Sequence, residues 1–296
     1  MREAAAPVIP HSRPIGPTVP VALSPHLEAT CAVCCGALAA GALTAEVAVI
    51  VRLLAGWLLA DIILGFTLAQ LLATVRVAVE VGPPPLGASR GGPRIPYTEP
   101  GSPGDRLAQA LGRWLEHWRE RLQPAVGHHV ASFATASATG LLVGAYLGVP
   151  ALAACAGTVA LAVGLILISG PRVDVLARWY AGLALAVAWY LGHCLFAPVT
   201  PASWGMAALL GLAAFGRVAQ TSDNVRSVRR GRRLVGIVWA VLVFAMLVAR
   251  QPIAAGITAI AGLAECMSLG GQASRPTRVG WLAAMWLAAV IVAGSV

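Results

Sequence analysis

Four ionisable side chains stand inside long apolar stretches of this chain: Glu46, Asp61, His193 and Glu265. At membrane depth each buried charge costs roughly 2.5–3.5 kcal/mol on insertion scales. An acid retained there is a functional candidate by default. Asp61 falls near the middle of its stretch and is the foremost candidate. Glu46 and His193 fall near stretch ends, where water reaches them. Glu265 is either neutral and hydrogen-bonded, or paired to an arginine of a neighbouring loop.

A second chemistry resides in residues 217–233, RVAQTSDNVRSVRRGRR, which hold six of the 21 basic residues. Arginine grips phosphate oxygens two at a time. A cationic run between apolar spans is equally a topology anchor. Cys31, Cys34 and Cys35 form CxxCC. No second cysteine pair or histidine cluster stands at ligand spacing, so they read as small packing residues. His128 and His129 are adjacent; on a helix they point about 100° apart and rarely share a metal. No Ser/His/Asp set, glycine-rich phosphate loop or HExxH motif is visible.

The elements that must position these residues follow from composition. The chain has 296 residues, is 58% hydrophobic and only 11% charged, against about 25% charged in a soluble domain. The charges cluster in a few loops. This describes an all-α, polytopic transmembrane bundle. Net charge is +9 with no lysine. The arginines lie beside apolar spans, so membrane topology and lipid headgroups account for them and a nucleic-acid partner is excluded.

Nine spans are expected, at about 29–48, 53–75, 129–147, 149–169, 175–196, 203–219, 234–250, 252–271 and 280–295. The first two are divided by a turn near Glu46–Arg52. Residues 1–28 are a proline-rich cytoplasmic tail without the pattern of a signal peptide, and 29–296 form the transmembrane domain. The 76–128 loop carries an amphipathic helix over 103–123, introduced by Ser102, Pro103 and Asp105 as a capping box. Leu107, Leu111, Trp114, Leu115, Trp118 and Leu122 share its apolar face, which suits the membrane interface. Gly140, Gly144 and Gly148 make two overlapping GxxxG steps for close helix approach. Nine spans place 19 of the 21 arginines on one side, which sets the N-terminus and the 217–233 loop inside.

Nine spans with polar inner loops after the second, fourth and sixth resemble the UbiA-type intramembrane prenyltransferases. That family carries NxxxDxxxD on its second helix and DxxxD at the end of its sixth, and the two hold Mg²⁺ on an isoprenyl diphosphate. In Trp57–Gly65 only Asp61 matches; Trp57 and Gly65 stand where the family has Asn and a second Asp. In the second motif Asp223 matches, and Ser227 replaces its partner acid. Mg²⁺ takes octahedral oxygen ligands, and one acid per motif holds it poorly. The resemblance implies a lipid-binding bundle in which Mg²⁺ enters only if the family's activity is retained.

The expected function is an isoprenoid- or lipid-binding membrane protein, with Asp61, Asp223, Arg226, Arg229, Arg230 and Glu265 lining the polar mouth. Any enzymatic activity would be of the prenyltransferase type. Two alternatives differ in class: a non-enzymatic subunit that assembles with membrane-protein partners, and a secondary transporter using Asp61 or Glu265 for proton coupling. The expected location is a bacterial inner (plasma) membrane.

Overall fold

The computed structural model describes residues 25–42, 44, 46–82, 102–170, 172–222, 224–267 and 275–294. The proline-rich tail before residue 25, the irregular stretch 83–101 and Asp223 lie outside them, as do the side chains of Asp105, Trp114 and Trp118. Every regular element among the described residues is helical. In chain order these are α1 (Pro25–Ala39), α2 (Val47–Trp57), α3 (Gly65–Val81), α4 (Pro103–His117), α5 (Gln123–Leu147), α6 (Val149–Ser169), α7 (Val173–Cys194), α8 (Pro201–Gln220), α9 (Val225–Val248), α10 (Pro252–Met267) and α11 (Arg275–Ala293).

Among the described residues six helices are long and apolar enough to cross a bilayer: Val47–Val81, Gln123–Leu147, Val149–Ser169, Val173–Cys194, Pro201–Gln220 and Val225–Val248. Glu28–Ala39, Pro252–Met267 and Gly280–Ala293 are shorter apolar helices. The chain is thus a multi-pass membrane protein. Large apolar side chains such as Leu142, Ile168, Phe244 and Ile253 are exposed on its outside, as a lipid-facing surface requires.

Two wide turns interrupt the helices: the first lies inside the expected second span, and the second joins the amphipathic helix to the expected third span. The π-helical segment Leu58–Leu64 joins α2 to α3, making one helix from 47 to 81. The turn expected near Glu46–Arg52 instead occupies residues 40–46, where Gly41 adopts φ 70°. Left-handed backbone of this kind suits glycine and ends a helix. Glu46 stands exposed just before α2. The second π-helical segment, Trp118–Leu122, runs α4 directly into α5. Pro124 follows it; proline offers no N–H and crowds the carbonyl four residues back, and a widened turn absorbs both defects.

Packing divides the bundle into two groups that share α7. In the larger, α1, α7, α8, α9, α10 and α11 pack in succession, and α11 returns to α1. In the smaller, α3, α5 and α6 pack around the other side of α7. Leu68, Leu71, Val75, Ala162, Leu176 and Tyr180 form its core.

Reciprocal glycines bring the axes of the larger group close. A Cβ on Gly182 (α7) would lie 2.8 Å from the Gly211 carbonyl oxygen, and one on Gly211 (α8) 2.9 Å from that of Gly182. Gly36 (α1) and Gly192 (α7) meet the same way: a Cβ on either would collide with backbone carbonyls, of Trp189 and Val33 respectively. Gly216 and Gly231 join α8 to α9. Without a water-driven force between helices, such close approach supplies the dispersion contacts that hold a membrane bundle together. The GxxxG glycines serve packing too: Gly140 faces Ile63 and Leu64, and Gly144 faces Cys155 and Leu152.

Candidate functional site

One end of α7, α8 and α9 forms a cleft of about 900 Å³. Four arginines line it: Arg172 and Arg178 from the start of α7, and Arg226 and Arg230 from the start of α9. Asp174 is the single acid among the described lining residues. Ser222, Asn224 and Ser227 add hydroxyl and amide groups, while Val79, Val173, Phe215, Ala219 and Leu234 provide an apolar floor.

Local sequence explains why the arginines converge. Asn224 caps α9, its side-chain oxygen accepting from the Arg226 backbone N–H at 2.9 Å. Ser222 Oγ accepts from the Asn224 backbone N–H at 3.3 Å and from Arg178 Nη2 at 3.1 Å. The cap therefore starts α9 and ties it to α7 together. Both helices begin at the cleft, while α3 and α8 end beside it at Val79 and Ala219, so helix ends of both signs border the space and its positive charge comes from the guanidiniums. Gly231 lets α9 lie close on α8, which keeps Arg226 and Arg230 beside the α7 arginines.

A shallower hollow of about 450 Å³ lies on the outer side of α9, lined by Val225, Arg226, Arg229, Arg230 and Arg233. Arg226 and Arg230 line both spaces. Of the residues singled out from sequence, the structure brings Arg226 and Arg230 into the cleft and places Arg229 in the outer hollow. Asp223 lies outside the described residues, between two that line the cleft.

Asp61 sits elsewhere. It is buried within the Leu58–Leu64 π-helical segment and is not among the residues lining the cleft. Thr67 Oγ1 donates to the Ile63 carbonyl at 2.7 Å, satisfying an acceptor that the widened turn offers. His193 is fully buried rather than at a wet helix end, and its Nε2 lies 3.2 Å from the Pro198 carbonyl oxygen.

Glu265 belongs to a buried ionic node inside the larger helix group. Arg217 Nε donates to Glu265 Oε1 at 2.7 Å and Nη2 to Oε2 at 3.0 Å. Trp239 Nε1 donates to the same Oε2 at 2.8 Å. The guanidinium carbon lies 4.1 Å from the Trp281 ring centroid, and Nη1 reaches Glu28 at 3.5 Å. Helices α1, α8, α9, α10 and α11 each contribute one member. Of the two alternatives open for Glu265, pairing to Arg217 is the one formed. Phe215 and Ala219 face the cleft, so α8 presents the cleft on one side and the node on another.

Sequence reasoning did not pick out Arg172 and Arg178 as site residues. Their signal was their place in a turn on the same side as the 217–233 loop. Trp239 and Trp281 carried no signal of their own, since tryptophans are common in apolar spans. No protein-family model matches this chain, and neither a curated protein nor a solved structure matches it, so the site rests on its own residues.

Proposed function

We propose that this multi-pass protein is a nine-span bundle that binds a lipid with a phosphate-bearing head, of the isoprenoid diphosphate class. In this reading it is a divergent relative of the UbiA-type prenyltransferases, with its inner loops on the cytoplasmic side. The observation that carries the proposal is the cleft: four arginines over an apolar floor. A diphosphate head matches the first feature and a polyisoprenoid tail the second. Charge-assisted contacts from planar guanidiniums are the strong kind of phosphate contact. In this reading the three shorter apolar helices, Glu28–Ala39, Pro252–Met267 and Gly280–Ala293, are the remaining spans.

Among the described residues no group of three or more His, Cys, Asp or Glu gathers to hold a metal. The described donors of the cleft are four guanidiniums and one carboxylate, Asp174, and a single acid does not fill the octahedral oxygen shell that Mg²⁺ takes. The arginines are therefore the groups that meet the phosphate charge in this reading.

The test is titration of the purified protein with geranylgeranyl diphosphate, with and without EDTA, on the parent and on Arg172→Gln/Arg178→Gln. Binding that survives EDTA and falls at least tenfold in the variant supports the reading. Binding abolished by EDTA overturns the metal-free assignment. Absence of binding in both conditions removes the ligand class and leaves the assembly subunit as the better account.

A further inference from the structure

The outer face of α9 carries a pattern of which the cleft uses only Arg226 and Arg230. Arg226, Arg229, Arg230 and Arg233 are exposed along its first turns. Ile237, Val241, Phe244 and Val248 continue the line and are exposed in turn. At 100° per residue these eight positions fall within roughly 120° of the helix circumference. Ser227, Gly231, Val235, Val238, Leu242 and Met246 occupy the opposite, buried face. One exposed stripe is thus cationic for two turns and apolar for the next three.

That order has the shape of an amphiphile. Ile237 to Val248 spans ~17 Å at 1.5 Å per residue, close to one leaflet of a ~30 Å hydrocarbon core. The guanidiniums then stand at headgroup level, where the 450 Å³ hollow between them receives an anionic group. Arginine charge beside an anionic leaflet is attractive by Coulomb's law and is screened only over a Debye length.

We propose that this stripe is a docking site for one anionic glycerophospholipid of the surrounding leaflet, its phosphate in the Arg226–Arg233 hollow and its chains along Ile237–Val248. The proposal rests on the membrane reading above and not on the isoprenoid diphosphate assigned to the cleft. Arg226 and Arg230 line both spaces, so a lipid phosphate in the outer hollow withdraws positive charge from the cleft. The lipid is accordingly an antagonist of anion binding in the cleft.

Native mass spectrometry of the full-length protein from mixed micelles tests this, with phosphatidylglycerol and phosphatidylcholine of identical chains. The parent is expected to retain phosphatidylglycerol preferentially. Arg229→Gln/Arg233→Gln, which alters only the outer hollow, is expected to lower that retention about thirtyfold. Arg172→Gln/Arg178→Gln, which alters only the cleft, is expected to leave it unchanged. Equal retention of the two lipids by the parent overturns the proposal, and that comparison needs no variant to fold. Unchanged retention in Arg229→Gln/Arg233→Gln also overturns it, as does displacement of the lipid by an equal concentration of free glycerol 3-phosphate. Loss of geranylgeranyl diphosphate binding with lipid retention intact removes the cleft reading alone.

Discussion

Arginine serves two opposite ends in this bundle. Arg217 is enclosed: a carboxylate takes two of its donors, a tryptophan ring covers its face, and a second acid stands at 3.5 Å. Arg172, Arg178, Arg226 and Arg230 surround an open cleft in which a single described acid, Asp174, stands among them. The first arrangement is closed in charge and geometry and joins five helices. The second gathers more positive charge than its lining neutralises. A charge answered from within the fold holds structure; a surplus of one sign facing a cavity awaits a ligand. The node thus holds helices together, while the cleft is the space proposed to bind.

The largest effect is expected at Glu265. Glu265→Leu leaves the Arg217 guanidinium enclosed without its carboxylate. Breaking a fully buried pair from one side costs roughly 3–5 kcal/mol; Arg217 is 18% exposed and keeps Glu28 at 3.5 Å, so a smaller but clear loss of thermal stability in detergent is expected. Replacing both partners, Arg217→Met with Glu265→Leu, is expected to recover part of that loss, because the only acid then left without Arg217 is Glu28, a quarter exposed and able to reach water. If the double variant is no more stable than Glu265→Leu, the node is not a self-contained pair and the comparison breaks on its structural side.

The cleft should respond in the opposite manner. Arg172→Gln/Arg178→Gln removes two cations and the Arg178–Ser222 hydrogen bond from a solvent-facing space, so a stability loss of no more than about 1.5 kcal/mol is expected. Prenyl diphosphate affinity is expected to fall at least tenfold, and the parent's affinity to fall as salt rises. A melting temperature that drops as far as that of Glu265→Leu would show that these arginines hold the fold instead.

Much of this was legible in the sequence, for definite physical reasons. Apolar spans announce themselves through composition, and the arginine run marks its own loop. Arg226 and Arg230 could be named because they are concentrated in one segment. Arg172 and Arg178 could not, since each is an isolated cation near a short turn; the hydrogen bond from Arg178 to Ser222, in the turn before α9, and the shared cleft lining bring them into the site. Glu265 was readable as an acid needing a partner, but which arginine reaches it depends on how α8 and α10 pack. The break after α1 had a signal in Gly41 that the apolar run around it obscured. The π-helical segments had none: their residues look helical, and the widening answers tertiary packing and Pro124. Asp61 was legible as an unusual acid at depth, and the structure adds that it lies in such a widened segment.

The mildest change is expected at Trp239. Trp239→Phe keeps the ring against Trp281, whose centroid lies 5.4 Å away, and deletes only the donor to Glu265 Oε2. Hydrogen bonds between membrane helices are worth about 0.6 kcal/mol on average and at most about 1.7. Glu265 keeps both Arg217 contacts, so a loss near 1 kcal/mol is expected. Trp239 also sits on α9, the helix that carries Arg226 and Arg230. The separation along the axis is ~14 Å from Arg230 and ~20 Å from Arg226 at 1.5 Å per residue. Changes that far apart with no shared partner combine additively. Prenyl diphosphate affinity should therefore be the same in Trp239→Phe as in the parent, and the combination with Arg172→Gln/Arg178→Gln should show the sum of the separate effects. A shift in affinity from Trp239→Phe alone would mean that the node sets the position of α9 at the cleft. The two regions would then be one mechanical unit, and the division between a structural charge and a binding charge would have to be given up.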